Sequence, residues 1–134
     1  MHTEMKYKVR VIKQGTAAGP AIVSLDPIGF LGGVDGDTGI VIEKGHPLEG
    51  QSIARKVLVF PTGKGSTVGS YILYQLAVNK LAPTAIINVE SEPIVAVGAI
   101  IGNIPMVDQM PIEMIETGDQ VYIDGDEVTV VKVN

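Results

Sequence analysis

Val57-Leu-Val-Phe-Pro-Thr-Gly-Lys-Gly-Ser-Thr-Val-Gly-Ser-Tyr-Ile-Leu73 decides the reading of this chain: an apolar run passes through a Gly-Lys-Gly-Ser-Thr turn into a helical pattern. Arg55 to Phe60 reads as a buried strand. Ser66 to about Lys80 reads as a helix, with Val68, Ile72, Leu73, Leu76 and Ala77 on one face. Pro83 closes the connection, and Ala85-Ile-Ile-Asn-Val89 is a second buried strand. Ser91-Glu-Pro93 carries the cap residue and early proline of a helix start, which predicts a helix to about Ile101. Ile104-Pro-Met-Val107 supplies a third strand. The order β-α-β-α-β predicts a mostly parallel sheet with right-handed crossovers.

Outside this unit the pattern changes. Tyr7-Lys-Val-Arg-Val-Ile-Lys13 alternates polar and apolar residues, as a half-buried strand does, and Pro20 to Ser24 is a shorter candidate. Residues 25–51 are punctuated by glycine and proline, and only Gly39-Ile-Val-Ile-Glu43 looks strand-like. Such a shaped loop either carries function or is loose. Gly118 to Val133 forms two alternating runs about Asp124-Gly125, a strong hairpin signal. The expected fold is therefore α/β: a parallel β-α-β-α-β unit flanked by a β-layer or partial barrel with a C-terminal hairpin, in a single domain over residues 1–134.

Composition limits the function. The 134 residues are 46% hydrophobic with few aromatics and no tryptophan, so the core is built from Ile, Val, Leu and Ala. A net charge of −5 argues against nucleic acid as a partner, because phosphate backbones need a basic face. No run approaches the roughly 20 apolar residues of a membrane span, and Met1 to Lys6 lacks a signal-peptide hydrophobic region. The expected location is the cytoplasm. The chain has no cysteine, and His2 and His46 are its only imidazoles, so neither an iron–sulfur cluster nor a multi-histidine metal site can be built from it alone.

The Gly63-Lys-Gly-Ser-Thr67 turn is the candidate site. Gly63 and Gly65 let backbone amides approach a ligand, and the first amides of the following helix lack intrahelical acceptors. The helix dipole adds partial positive charge, so an oxyanion or small carboxylate is the natural guest. The plainer reading is an N-cap with turn glycines. A nucleotide P-loop fails on spacing, since Gly65 rather than Ser or Thr follows Lys64. A dinucleotide fingerprint fails too, because Gly63, Gly65 and Gly69 are spaced G-x-G-x-x-x-G. His46 lies in a Gly-His-Pro turn, where a surface or interface hydrogen bond is expected. Asp35 and Asp37 sit among glycines and suit turns. Arg55 and Lys56 are expected to be solvated, and Ser70 either faces solvent or reaches a ligand.

Phe30-Leu-Gly-Gly-Val-Asp-Gly-Asp-Thr-Gly39, His46-Pro-Leu-Glu-Gly-Gln51, Val59-Phe-Pro-Thr-Gly-Lys-Gly-Ser-Thr-Val-Gly-Ser70, Ala82-Pro83 and Glu92-Pro93 together resemble the swivel domain of the aconitase X family. The resemblance runs from about residue 5 to 130. It implies a two-polypeptide hydro-lyase in which this chain is the small subunit, closing as a swivelling β/β/α lid over a larger subunit that holds a [4Fe–4S] cluster. It further implies Ser66 as the proton acceptor, with Gly63, Lys64, Gly65 and Thr67 holding a small anionic substrate. That substrate is a 3-hydroxy acid such as 5-phosphomevalonate, with cis-3-hydroxyproline the rival. Relatives often carry Gly-Arg-Gly-Ser-Ser here, and Lys64 keeps the charge but not arginine's bidentate fork. Two further readings are a phosphohistidine carrier, which lacks a histidine at the turn, and a non-catalytic binding module.

Overall fold

The computed structural model describes residues 3–133; His2 lies outside the described residues. The strands are β1 (Thr3–Lys8), β2 (Arg10–Lys13), β3 (Thr16–Val23), β4 (Val57–Phe60), β5 (Ala85–Asn88), β6 (Met106–Asp108), β7 (Gln120–Asp124) and β8 (Glu127–Lys132). Two helices, α1 (Gly69–Val78) and α2 (Pro93–Ile101), complete the layers. The strand order is β1-β8-β7-β3-β4-β5-β6-β2. Parallel pairing joins β3 to β4, β4 to β5 and β5 to β6, as the alternating pattern predicts.

The chain passes from one layer to the other within β3 and again between β1 and β2. In β3, Thr16–Pro20 pair antiparallel with β7, whereas Ala21–Val23 pair parallel with β4. The outermost strands, β1 and β2, are consecutive in the chain and separated only by Val9. Because adjacent α-carbons are about 3.8 Å apart, the two edges of the sheet must lie close together, and the sheet curls into a half-barrel. The expected single strand from Tyr7 to Lys13 is therefore broken at Val9, whose amide donates to Asp126 O at 2.9 Å.

The curl creates two apolar cores, one on each side of the parallel strands. Val57 and Val59 of β4 face the core shared with the antiparallel layer, beside Ala85, Ile87, Val121, Ile123, Val128 and Val130. Leu58 and Phe60 face the helices, beside Ile86, Leu73, Leu76, Val95 and Ala99. Burial on both faces explains why β4 and β5 read as unbroken apolar runs. The hairpin turns one residue later than its dipeptide signal, since Asp124 pairs with Glu127 and Gly125 (φ 58°) and Asp126 form the loop.

Three local expectations change. Gly39 to Glu43 is not a strand; isolated bridges at Ile40 and Val41 are all it contributes. Gly39 sits at φ 76°, outside extended geometry, and its neighbours spend their backbone groups on Gly33 and Gln51. Helix α1 begins at Gly69 rather than Ser66, and Val68 is exposed rather than packed. Helix α2 is capped by Glu92, whose carboxylate accepts from Ile94 N at 2.8 Å and Val95 N at 3.3 Å. Ser91 is diverted because its amide donates to Asp108 Oδ2.

Candidate functional site

The turn lies between the C-terminal end of β4 and the start of α1, at the edge where α/β sheets gather their ligands. Gly63 forms a parallel bridge with Ile28, flanked by Ile28 N to Thr62 O at 3.3 Å and Lys64 N to Ile28 O at 3.0 Å. A Cβ on Gly63 would come within 2.5 Å of Val95 Cγ2 and 2.6 Å of Glu92 Oε2. Any side chain there would push against the cap of α2. Gly65 has φ 99°, a conformation other residues rarely adopt.

Ser66 is exposed. Its Oγ accepts from Val68 N at 3.2 Å, and its carbonyl accepts from Gly69 N at 2.9 Å, so it does serve as a local cap. The amides of Gly65, Ser66 and Thr67 donate to no protein acceptor among the described residues. Successive free amides beside a left-handed glycine are donors open to an anion. Thr67 is exposed beside them. The plainer turn-capping reading of Ser66 is met, and because that bond uses one lone pair the hydroxyl hydrogen is left free.

Lys64 is engaged elsewhere. Its ammonium donates to Glu43 Oε2 at 3.0 Å and makes no hydrogen bond to Ser66. Both side chains are partly exposed, so the pair is exchangeable rather than locked. Glu43 had no signal in the sequence, being 21 residues from Lys64 inside a segment that looked strand-like.

Loop 25–51 forms the second wall of the site. Phe30 meets Phe60 edge to face at 6.3 Å, and a Cβ on Gly29 would lie 2.8 Å from Lys64 O. His46 is the staple that shapes it. The imidazole is buried, contrary to the expected surface role; Nδ1 accepts from Leu48 N at 3.0 Å, which leaves the Nε2 proton for Pro27 O at 3.1 Å. Asp35 accepts from Asp37 N at 2.8 Å, a turn-forming contact, whereas Asp37 accepts from Gln75 Nε2 at 3.0 Å and so ties the loop to α1. Ser70 does not face solvent: it is buried and donates to Ile94 O at 2.6 Å, tying α1 to α2. Arg55 donates to Lys80 O at 3.0 Å on the surface, whereas Lys56 is partly buried against Ser52 O at 2.8 Å.

Among the described residues no three His, Cys, Asp or Glu side chains gather in a metal-binding cluster, and no helix is long and apolar enough to cross a membrane. The site is thus a hydroxyl and three unengaged amides, open to solvent on a half-barrel with two helices. Such a domain presents one exposed hydroxyl and a row of free amide donors on a glycine turn.

Comparison with known proteins gives that class a family. The sequence model of the aconitase X swivel domain matches residues 6–133. The chain is 58% identical over 126 residues to the phosphomevalonate dehydratase small subunit of Methanosarcina mazei, covering 92% of this chain and 88% of that one. It is 59% identical over 124 residues to the protein of the same name from Methanocella arvoryzae, covering 90% and 94%. The crystal structure of Thermococcus kodakaraensis aconitase X (holo-form) superimposes with a TM-score of 0.93 at 52% identity, covering 96% of this chain and 99% of that one. The chain belongs to the aconitase X swivel domain family.

Proposed function

We propose that this chain is the small subunit of a two-chain hydro-lyase that converts (R)-5-phosphomevalonate to trans-anhydromevalonate 5-phosphate, in an archaeal route to isoprenoids. The reading rests on the names borne by close relatives and on one structural observation: Ser66 stands exposed at a turn whose amides at Gly65, Ser66 and Thr67 are unengaged.

The reaction removes a proton from the carbon next to the carboxylate and hydroxide from the adjacent carbon. The electrons of the broken C–H bond become the new carbon–carbon double bond, and the departing hydroxide gains a proton to leave as water. Ser66 Oγ, as the alkoxide, is assigned the role of proton acceptor; it becomes the hydroxyl, and passing that proton on to the released hydroxide forms water and restores the alkoxide. A serine is a poor base unless its negative charge is stabilised, and the free amides of the turn supply that stabilisation, each donor contributing about a few kcal/mol once water is excluded. Lys64 offers a cation for the substrate's phosphate or carboxylate after exchanging away from Glu43. The sequence has no cysteine to ligate a [4Fe–4S] cluster, so that group is assigned to the larger partner, where it would act as Lewis acid toward the leaving hydroxyl. This chain contributes the base, the cradle and the lid.

The test is anaerobic co-expression with a larger aconitase X-type chain, following product by NMR with 5-phosphomevalonate and cis-3-hydroxyproline in parallel. Turnover of the phosphorylated acid is expected from the assembled pair alone. Ser66→Ala should lower kcat by roughly 10²–10⁴-fold while the complex still forms. Turnover by the larger chain alone, or undiminished turnover by the variant, removes the assignment.

A further inference from the structure

Helices α1 and α2 share a surface unlike the outside of a free-standing domain. Charged residues make up 19% of the chain, yet neither Gly69–Val78 nor Pro93–Ile101 contains one. Helix α2, Pro-Ile-Val-Ala-Val-Gly-Ala-Ile-Ile, has no polar side chain at all. A helix apolar on every side is normally covered on every side. Here only its inner face is covered: Val97, Ile100 and Ile101 are exposed, as are Tyr71 and Tyr74 of α1, with Tyr71 at 69%.

Between the helices runs an apolar groove, lined by Thr67, Tyr71, Ile94, Val97 and Ile101 with Ser70 at its floor. The groove starts at the residue next to Ser66. Thr67 belongs both to the row of free amides and to the groove wall. This continuity identifies the occupant. A second chain that seals Ser66 from water must rest on the rim at Thr67, and from there the uncharged helix face is the surface that loses most by staying wet.

We infer that the α1–α2 groove is the docking surface for the larger, catalytic partner subunit, which lays an apolar ridge along it and thereby brings its own site over Ser66. The inference rests on the proposed two-chain enzyme. Tyr71 is the anchor: an exposed aromatic beside an apolar slot is the kind of residue that dominates binding energy in such contacts. Thr67 and Ser66 then lie at the rim, where docking and closure of the site are one event.

The experiment uses the full chain and its larger partner, with affinity measured by titration calorimetry and mass by light scattering. Val97→Glu and Tyr71→Glu each place a charge on the groove. Both should weaken association by roughly 30-fold or more. Tyr122→Glu, at an exposed position on β7 in the opposite layer, should leave affinity unchanged. Circular dichroism and thermal melting of each free variant check folding, and Tyr71→Glu, at the more exposed position, is the variant least able to disturb the core. Normal affinity in both groove variants overturns the inference, as does a groove that instead pairs two copies of this chain while the hetero-complex survives the substitutions. Assembly through the groove without dehydration of 5-phosphomevalonate would retain the docking surface and reject the proposed substrate.

Discussion

At the scale of single residues, the site depends on which partner each polar group has chosen. Ser66 keeps a free hydroxyl hydrogen because its cap uses only a lone pair. Lys64 is held by Glu43, so any substrate anion must compete with a carboxylate for the same ammonium. On the proposed function, Glu43→Gln removes that competitor. The expected result is a several-fold lower KM for the anionic substrate with kcat unchanged, whereas Lys64→Met raises KM. An unaltered KM in both variants would show that the ammonium does not meet substrate. Stability should hardly move, since an exposed pair is worth about 0–1 kcal/mol. Gly63 tests the cradle itself: a methyl there would lie 2.6 Å from Glu92 Oε2, so Gly63→Ala should disturb the cap of α2 and lower the melting temperature.

At the scale of elements, the two helices meet where one side chain is missing. A Cβ on Gly98 of α2 would lie 2.6 Å from Leu73 Cδ1 and 2.9 Å from Leu73 Cβ. Helix propensity alone favours replacing a mid-helix glycine, by up to about 1 kcal/mol for alanine and less for β-branched residues. Packing overrides it, since forcing atoms into a filled interface costs about 1–3 kcal/mol. Gly98→Val should therefore lower unfolding free energy by about 2 kcal/mol in a urea titration. A neutral or stabilised variant would mean that α1 and α2 can separate at little cost. The strands and helices of this unit were readable because run length and start signals mark them: β4 and β5 are short runs buried on both faces, and Pro93 marks the start of α2. The exact helix starts were not. Whether Ser91 or Glu92 caps α2 turns on Asp108, which reaches Ser91 N from a strand 17 residues away.

At the scale of the whole molecule, the curled sheet is fastened where β2 meets β6. Arg10 grips Asp108 with two hydrogen bonds, Nε to Oδ1 at 2.8 Å and Nη2 to Oδ2 at 2.6 Å. Burial by itself would raise the Asp108 carboxyl, but hydrogen bonds from Arg10 and from the Ser91 amide outweigh it and hold it below its ordinary value. A carboxylate lowered on folding stabilises the protein fully above its unfolded pKa of about 3.9, and that contribution disappears as pH falls through the lower folded value. Asp108→Asn should accordingly be clearly less stable than the parent at pH 7, with the gap narrowing toward pH 2. Urea unfolding at both pH values measures it; an equal gap at each would show that charge on Asp108 contributes nothing to the seam.

Local chemistry was enough to specify the β-α-β-α-β order, the C-terminal hairpin, and Ser66 on a glycine turn leading into a helix, because period, turn residues and caps act over a few neighbours. Contacts between distant segments settled the rest. The break at Val9, the staple role of buried His46, the capture of Lys64 by Glu43 and the bare outer face of α1 and α2 all depend on segments far apart in the chain. Such pairings leave no periodic trace, since each is fixed only when the sheet curls and brings loop 25–51 against the turn.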